Sequence, residues 1–222
     1  MKNTSDIKKQ FKNKDLYDQA LTHRSWVNEH KGKRSSNERL EFLGDAILEF
    51  IVSREIYKSF PDKEEGYLTA LRANIVNTVS LAQVAQNIDL GKEIFLSKGE
   101  EDGGGRLNQS LLADTVEAII GALFIDSDIT ACEKFIKDNL LFDLEEKAKM
   151  PLKDAKSRLQ ELVQAKGLST PKYKLLSEEG PDHDKKFEIG VLVDEKEYGR
   201  GEGKSKSSAE QEAAKDALIK LQ

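Results

Sequence analysis

The sequence predicts an α-helical domain followed by a small α+β domain whose elements run α-β-β-β-α. Through the first 150 residues, apolar side chains recur at three- and four-residue spacing, which is typical of helices packed on a core. Phe187, Ile189, Val191 and Val193 then alternate with other residues, which indicates a half-buried strand. The charge also changes near residue 150, because the net charge of −5 lies in the first part and the second part is neutral.

The first part is predicted to consist mainly of helices. The pattern places them at 37–58, at 65–88 as one or two helices, at 110–125 and at 129–140. Pro61 is expected to stop any continuation of the first helix beyond Phe60, because proline cannot continue a helix. The segment 110–125 is apolar on nearly all sides, so we expect a buried helix. The glycine-rich segment 99–109 is expected to be a flexible loop.

The second part is expected to open and close with a helix. The first covers 156–166 and ends before Gly167, a typical residue after a helix C-terminus. Strands are expected at 172–177, 187–193 and 197–199, and the last helix at 207–221. Residues 145–152 combine charge and a proline without clear periodicity, which indicates a linker. The predicted limits are therefore 1–146 for the first domain, 147–152 for the linker and 153–222 for the second domain.

The composition excludes several classes of protein. Cys132 is the single cysteine, so there is no internal disulfide framework and no multi-cysteine zinc site, and we expect its thiol to be buried as a small apolar group. No apolar run is long enough to span a membrane, and the charged N-terminus does not resemble a signal peptide. A reduced, cytoplasmic protein is expected. The acidic overall charge argues only mildly against nucleic-acid binding, because it hides where the charges lie.

Two groups of carboxylates stand in apolar surroundings. Glu38, Glu41 and Asp45 fall within about 60° of one another on the first predicted helix. Asp114 and Glu117 lie three residues apart in the apolar run 111–123, which contains no lysine or arginine. Partly buried carboxylates need a cation, and one divalent ion shared by both groups would supply it.

The ligand types predict Mg²⁺, for which Mn²⁺ can substitute, rather than zinc. Carboxylate oxygens are hard ligands, and none of the three histidines stands in a Glu-x-x-His pattern. An ordinary solvated acidic face remains the alternative, above all for Glu38 and Glu49 taken alone. A hard ion on carboxylates most commonly serves phosphoryl chemistry. No Gly-x-x-x-x-Gly-Lys-[Ser/Thr] motif is present, so a nucleotide cofactor is not expected.

Residues 37–48, Asn-Glu-Arg-Leu-Glu-Phe-Leu-Gly-Asp-Ala-Ile-Leu, resemble the signature of the ribonuclease III family. Blocks at 20–26, 64–66 and 112–122 resemble that family in the same order, and residues 154–221 resemble a double-stranded RNA-binding domain. The resemblance implies an Mg²⁺-dependent endonuclease that cuts both strands of duplex RNA and leaves 5′-phosphates, 3′-hydroxyls and short 3′ overhangs. It also implies a homodimer and a role in ribosomal precursor processing.

The same resemblance implies roles for individual acids. Glu41, Asp114 and Glu117 would ligate the catalytic metal, and Asp45 would ligate it or orient the attacking water. Two further family acids match, with roles at the cleavage centre or at a second metal: Glu38 and Glu65. The block at 20–26 contains His23 and Arg24, which we interpret as structural.

Three places in the second domain resemble RNA contacts of the family. They are Gln160 and Glu161 on the first helix, His183 in a turn between strands, and Lys204, Ser205 and Lys206 before the last helix. The family usually has a second lysine where this chain has Ser207, which leaves one phosphate contact in doubt. The segment 154–156 also lacks a proline that is common there.

Two other functions are compatible with parts of the sequence. One is a non-cleaving RNA-binding or chaperone protein of the same architecture, which the complete set of acids disfavours. The other is a metal-dependent phosphohydrolase of small nucleotides, which has no need of a duplex-binding domain.

Overall fold

The computed structural model describes residues 4–150, 152, 154–181 and 185–221. The chain divides into two compact units, Met1–Met150 and Pro151–Gln222. The first is helical, and the second has three antiparallel strands preceded and followed by a helix, so the predicted fold class is confirmed. The limits 1–146, 147–152 and 153–222 stay a prediction. In the part of the chain described, no helix is both long and apolar enough to cross a membrane.

The described part of the first unit contains ten α-helices and two short 3₁₀ turns. The helices are α1 (Thr4–Lys8), α2 (Lys14–Ala20), α3 (Arg24–Glu29), α4 (Glu38–Ser59), α5 (Glu65–Ile75), α6 (Thr78–Asn87), α7 (Lys98–Asp102), α8 (Gln109–Asp126), α9 (Ile129–Asn139) and α10 (Leu144–Lys149). The 3₁₀ turns are Leu90–Lys92 and Gly105–Leu107.

The long helices α4 and α8 pack against each other at the centre of this unit. α8 buries most of its residues, among them Ile119 and Leu123, which confirms the prediction of a buried helix. Asn108 caps its start, because the side-chain oxygen of Asn108 accepts hydrogen bonds from the backbone N–H groups of Ser110 and Leu111.

A pair of glycines allows the backbones of α4 and α8 to touch. A Cβ atom on Gly44 would lie 1.7 Å from the carbonyl oxygen of Glu117, and one on Gly121 would lie 2.1 Å from that of Leu40. Any side chain at either position would therefore force the two helices apart. Because Glu41 follows Leu40 directly, this crossing sets the spacing between the acids of α4 and those of α8.

The predicted helix at 65–88 is two helices, α5 and α6. Asn77 lies between them, and its side-chain oxygen accepts a hydrogen bond from the backbone N–H of Ser80 at 2.9 Å. A side chain that caps the second helix competes with continuation of the first, which explains the break.

The prediction of a flexible loop at 99–109 is wrong. The segment contains most of α7 and one 3₁₀ turn. Nη1 of Arg106 donates hydrogen bonds to the carbonyl oxygens of Gly91, Lys92 and Ile94, and Nε pairs with Glu101 at 2.7 Å. The three consecutive glycines suggested flexibility, but a single arginine ties the segment to the backbone of residues 91–94.

Helix α10 occupies the first residues of the predicted linker. The hydroxyl of Tyr67 donates to the carbonyl oxygen of Ala148 at 3.0 Å, and Nζ of Lys147 donates to that of Leu140 at 2.9 Å. Residues 147–149 are therefore helical and belong to the first unit.

The second unit has the predicted order of elements. They are α11 (Ala155–Ala165), β1 (Lys172–Glu179), β2 (Lys186–Val193), β3 (Lys196–Gly203) and α12 (Lys206–Leu221). The strands lie in the order β1-β2-β3 and are antiparallel. Asp194 and Glu195 form the turn between β2 and β3, with φ angles of 48° and 62°.

Strand β3 is longer than the predicted 197–199. The sequence pattern missed its remaining residues because the inner face of the strand consists of glycines. A Cβ atom on Gly201 would lie 2.1 Å from the backbone nitrogen of Ala213, and one on Gly199 would lie 2.4 Å from the carbonyl oxygen of the same residue. α12 thus packs directly on the strand backbone. A strand without alternating apolar side chains gives no periodic signal.

Candidate active site and RNA-binding surface

Three carboxylates from α4 and α8 meet beside the glycine crossing. Glu41, Asp114 and Glu117 each offer one carboxylate oxygen, and these three oxygens lie within 4.8 Å of one another. All three side chains are partly buried. Among the described residues, no other group of three histidine, cysteine, aspartate or glutamate side chains is so arranged.

The cluster is electrostatically strained when it holds no cation. Burial, followed by the charges of Asp45, Asp114, Glu41 and Glu49, raises the pKa of Glu117 to about 7. Burial also raises the pKa of Asp114, and burial with the neighbouring acids raises that of Glu41. A divalent cation would relieve this repulsion, so the donor set fits a hard metal ion such as Mg²⁺ or Mn²⁺.

Asp45 lies next to the cluster without belonging to the set of three oxygens. Its charge acts on both Glu41 and Glu117, and its side chain is exposed. An exposed carboxylate beside a metal site can accept a hydrogen bond from a water molecule that approaches from solvent.

Glu38 is adjacent to the cluster but has other partners. The hydroxyl of Ser36 donates to Glu38 Oε2 at 2.8 Å, and Nη1 of Arg24 lies 3.4 Å from Glu38 Oε1. Its charge contributes to the raised pKa of Glu41. Glu38 therefore acts on the cluster through its charge, at the exposed start of α4.

Glu65 is not brought into the cluster. It begins α5, where it accepts a hydrogen bond from the hydroxyl of Thr69 at 2.8 Å. Phe60, at the end of α4, packs against Tyr67 in the first turn of α5, and Arg72 farther along α5 pairs with Glu49, so α5 runs back along α4. Glu65 precedes Arg72 by seven residues and Glu41 precedes Glu49 by eight, so at 1.5 Å per residue the two glutamates are separated by about 20 Å.

Two features beside the cluster escaped the sequence interpretation. The charge of His23, which caps the start of α3, lowers the pKa of Asp114, so this histidine lies close to the acids. Glu49, interpreted above as a solvated acid, is held by Arg72. The four-residue spacing from Asp45 to Glu49 places both acids on one face of the helix, and this was the sequence signal that Glu49 belongs to the acidic row of α4.

The second unit presents the expected RNA-contacting residues on exposed positions. Gln160 and Glu161 lie on the exposed side of α11. Lys204, Ser205 and Lys206 are exposed at the start of α12, where the hydroxyl of Ser205 accepts a hydrogen bond from the backbone N–H of Ser208 at 3.1 Å. His183 lies outside the described residues.

Comparison with protein families gives two matches that together cover most of the chain. Residues 13–144 match the family described as ribonuclease-III-like, and residues 155–221 match the double-stranded RNA binding motif. The chain belongs to the ribonuclease III family. It is an endoribonuclease of the ribonuclease III type with a double-stranded RNA-binding domain, which confirms the resemblance found in the sequence.

Curated relatives support membership of the ribonuclease III family over nearly the whole chain. Ribonuclease 3 of Streptococcus pneumoniae is 45% identical over 95% of this chain and 91% of its own length. Ribonuclease 3 of Bacillus licheniformis is 46% identical over 97% of this chain and 87% of its own length.

A solved structure of the same family matches the nuclease part. The crystal structure of the nuclease domain of ribonuclease III from Campylobacter jejuni is 36% identical, with a TM-score of 0.56, and covers 68% of this chain and 99% of that domain. A second structure of that domain, with a TM-score of 0.54 and 38% identity over 60% of this chain and 95% of that one, concerns flexibility in a region involved in dimer formation.

Proposed function

We propose that this ribonuclease III uses Mg²⁺, or Mn²⁺ in its place, to hydrolyse both strands of duplex RNA. The products have 5′-phosphates and 3′-hydroxyls with short 3′ overhangs. The observation that carries the metal dependence is the cluster of Glu41, Asp114 and Glu117, whose oxygens converge within 4.8 Å and whose pKa values are all raised. No nucleotide cofactor takes part.

The chain's own residues divide the work between holding and orienting. Glu41, Asp114 and Glu117 hold the divalent ion, which supplies Lewis acidity for phosphoryl chemistry when it is bound. The exposed carboxylate of Asp45 accepts a hydrogen bond from the attacking water and so orients it toward the phosphorus atom. Glu38 adds negative charge at the edge of the site. Glu65 does not join this cluster, and its proposed role is at the cleavage centre or at a second metal.

The second unit holds the duplex by its shape and its phosphates. Lys204 and Lys206 flank Ser205 at the start of α12, where the N-terminal end of the helix favours a phosphate group. Gln160 and Glu161 on α11 contact one minor groove, and His183 is the residue proposed to contact the next.

Cleavage of both strands requires two active centres, which a homodimer supplies with one centre per subunit. Phe42 is 80% exposed on α4, beside a groove lined by Leu16, Leu43 and Ile125. A large exposed apolar side chain next to an apolar groove suits a self-complementary contact between two copies.

The resemblance to the family also supports a cytoplasmic enzyme that processes ribosomal, messenger and transfer RNA precursors.

A cleavage assay tests this function. Duplex RNA labelled on each strand in turn, the matching single strands and a set of small nucleotides are incubated with the protein in Mg²⁺ and in EDTA. We expect Mg²⁺-dependent cutting of both strands of the duplex alone, with products that carry 5′-phosphates. Retention of uncut duplex would indicate a non-cleaving RNA-binding protein, and hydrolysis of the nucleotides alone would indicate a phosphohydrolase.

A further inference from the structure

A basic turn, residues 30–33, lies between α3 and α4. The segment 30–37, His-Lys-Gly-Lys-Arg-Ser-Ser-Asn, contains no acid, although the chain as a whole has a net charge of −5. Lys31 and Lys33 are exposed, and neither side chain has an ion-pair partner in the part of the chain that the structure describes. Two ammonium groups that are not neutralised by the protein attract an anion with closely spaced charges.

The basic turn has a defined conformation. The backbone N–H of Lys33 donates a hydrogen bond to the carbonyl oxygen of His30 at 3.2 Å, and Gly32 between them has a φ angle of 76°. Glycine adopts this left-handed conformation without steric cost, so the sequence favours the turn. The ring of His30 stacks on the ring of Trp26 in α3, with the two centroids 4.2 Å apart. The first residue of the turn is therefore held on α3.

Arg34 fixes the chain directly after the turn. Its Nη2 atom lies 3.1 Å from Oδ2 of Asp18 in α2, and its guanidinium carbon lies 4.6 Å from the centre of the Phe95 ring. These contacts use the charge of Arg34 within the first unit. The charges of Lys31 and Lys33 remain available to a molecule outside the chain.

The segment that carries the basic turn begins and ends beside Glu38, the first residue of α4. Nη1 of Arg24, at the start of α3, lies 3.4 Å from Glu38 Oε1, and the hydroxyl of Ser36 donates to Glu38 Oε2 at 2.8 Å. Lys33 precedes Glu38 by five residues, and Glu41 of the carboxylate cluster follows Glu38 by three. An extended chain and one helical turn of these lengths keep Lys33 within about 22 Å of Glu41.

We propose that Lys31 and Lys33 bind backbone phosphates of the duplex close to the bond that is cut. This inference rests on the proposed function, which places the cut at Glu41, Asp114 and Glu117. The phosphates of a duplex are only a few ångströms apart, so several of them lie within reach of the turn when the cut bond lies at the cluster. The carboxylates repel the RNA backbone, and the basic turn offsets this repulsion at the same end of α4.

Phosphate binding has a signature that distinguishes it from a solvated surface charge. Each phosphate contact releases counterions, so log K falls with log salt concentration by about 0.7–0.9 per contact. A lysine that contacts only water adds nothing to this slope. Loss of two contacts should therefore make the slope shallower by about 1.4–1.8 and weaken binding by roughly tenfold or more near 0.1 M salt.

The test compares Lys31→Gln/Lys33→Gln with the wild-type full-length protein. Binding of a fluorescently labelled RNA duplex is measured by anisotropy in EDTA across a KCl series. We expect the shallower slope and the weaker binding given above. In Mg²⁺, single-turnover cleavage by the variant should need roughly tenfold more protein to reach its half-maximal rate. A slope and an affinity equal to those of the wild type would overturn the proposal.

Lys58→Gln/Lys134→Gln is the matched control, because it removes the same charge. Both lysines are exposed and have no ion-pair partner among the described residues. Lys58 lies in the last turn of α4, and Lys134 follows Glu133, which pairs with Arg54 toward that end of the helix. We expect the wild-type slope here. Equal reductions in both double variants would mean a general effect of net charge and would contradict the proposal.

Lys31→Arg/Lys33→Arg tests whether charge is what these positions supply. It should keep the wild-type slope, since arginine also binds phosphate. A loss as large as that in Lys31→Gln/Lys33→Gln would refute the assignment of both lysines to phosphates.

The single variants Lys31→Gln and Lys33→Gln keep the proposal testable if a double variant does not fold. Each should make the slope shallower by about 0.7–0.9, and wild-type slopes in both would overturn the proposal. The binding measurement does not involve cleavage. A wild type that binds duplex RNA and does not cut it in Mg²⁺ would therefore contradict the proposed function, whatever slopes the lysine variants give.

Discussion

The contact between α4 and α8 at Gly44 makes the metal site sensitive to a single methyl group. In Gly44→Ala, the new Cβ atom would lie 1.7 Å from the carbonyl oxygen of Glu117 and 2.9 Å from the backbone nitrogen of Gly121. Ordinary contact begins at 3.4 Å. Because both neighbours are backbone atoms that no rotamer change can move, the helices must separate by about 1 to 2 Å.

That separation exceeds what the metal site tolerates. Mg²⁺ binds oxygen at about 2.0–2.1 Å, so two of its ligands can be at most about 4.2 Å apart. The oxygens of Glu41, Asp114 and Glu117 lie within 4.8 Å of one another, so small side-chain rotations already have to bring them within that limit. A further 1 to 2 Å between the helices would take Glu41 out of reach, and a loss of at least tenfold in ion affinity corresponds to about 1.4 kcal/mol.

The assay measures Mn²⁺ affinity and the free energy of unfolding of Gly44→Ala, with Gly66→Ala as the control. No atom lies within 4 Å of a Cβ on Gly66, which is in the first turn of α5. We expect Gly44→Ala to bind Mn²⁺ at least tenfold more weakly and to lose about 1–3 kcal/mol of stability through overpacking. Wild-type affinity in Gly44→Ala would refute the argument that this crossing sets the carboxylate spacing.

Three further predictions concern charge and assembly. Because the pKa of Glu117 is raised to about 7, ionising this carboxyl disfavours the folded state. The free energy of unfolding of the metal-free protein should therefore fall by roughly 1–3 kcal/mol between about pH 4.5 and pH 7. Glu117→Gln should abolish that fall in urea titrations, and an unchanged pH dependence would contradict the raised pKa of Glu117. Ser207→Lys should tighten duplex binding and make the slope of log K against log salt concentration steeper by about 0.7–0.9. Gel shifts across a KCl series measure this slope, and an unchanged slope would mean that no phosphate lies near residue 207. Phe42→Ala should shift the protein toward monomer in sedimentation experiments, whereas an unchanged mass would place the subunit contact elsewhere.

The sequence was sufficient to predict which acids lie together on one face of the same helix. The apolar surroundings of Asp114 and Glu117 predict a partly buried pair, and the structure places both, partly buried, in a central helix. The row on α4 followed from its four-residue spacing. Periodicity assigns residues to faces of one helix, and the need of both acidic groups for a cation suggested one shared ion. The resemblance to ribonuclease III was needed to single out Glu41 from the row on α4.

Features that depend on contacts between distant segments were not predictable in this way. Arg106 orders the segment 99–109 through backbone carbonyl oxygens, which have no sequence signal. The distance between Glu65 and Glu41 follows from the direction in which α5 returns along α4. The pairing of Arg72 with Glu49 likewise depends on how two helices pack, and each residue alone looks like an ordinary surface charge.

The most direct test of the central claim is single-turnover cleavage by Glu117→Gln, with duplex retention measured on the same samples. If Glu117 holds the ion that cleavage requires, this variant will retain duplex RNA as the wild type does and will not cut it in Mg²⁺. Cutting at the wild-type rate would contradict the metal assignment, since an amide in place of this carboxylate removes a charged ligand from the site.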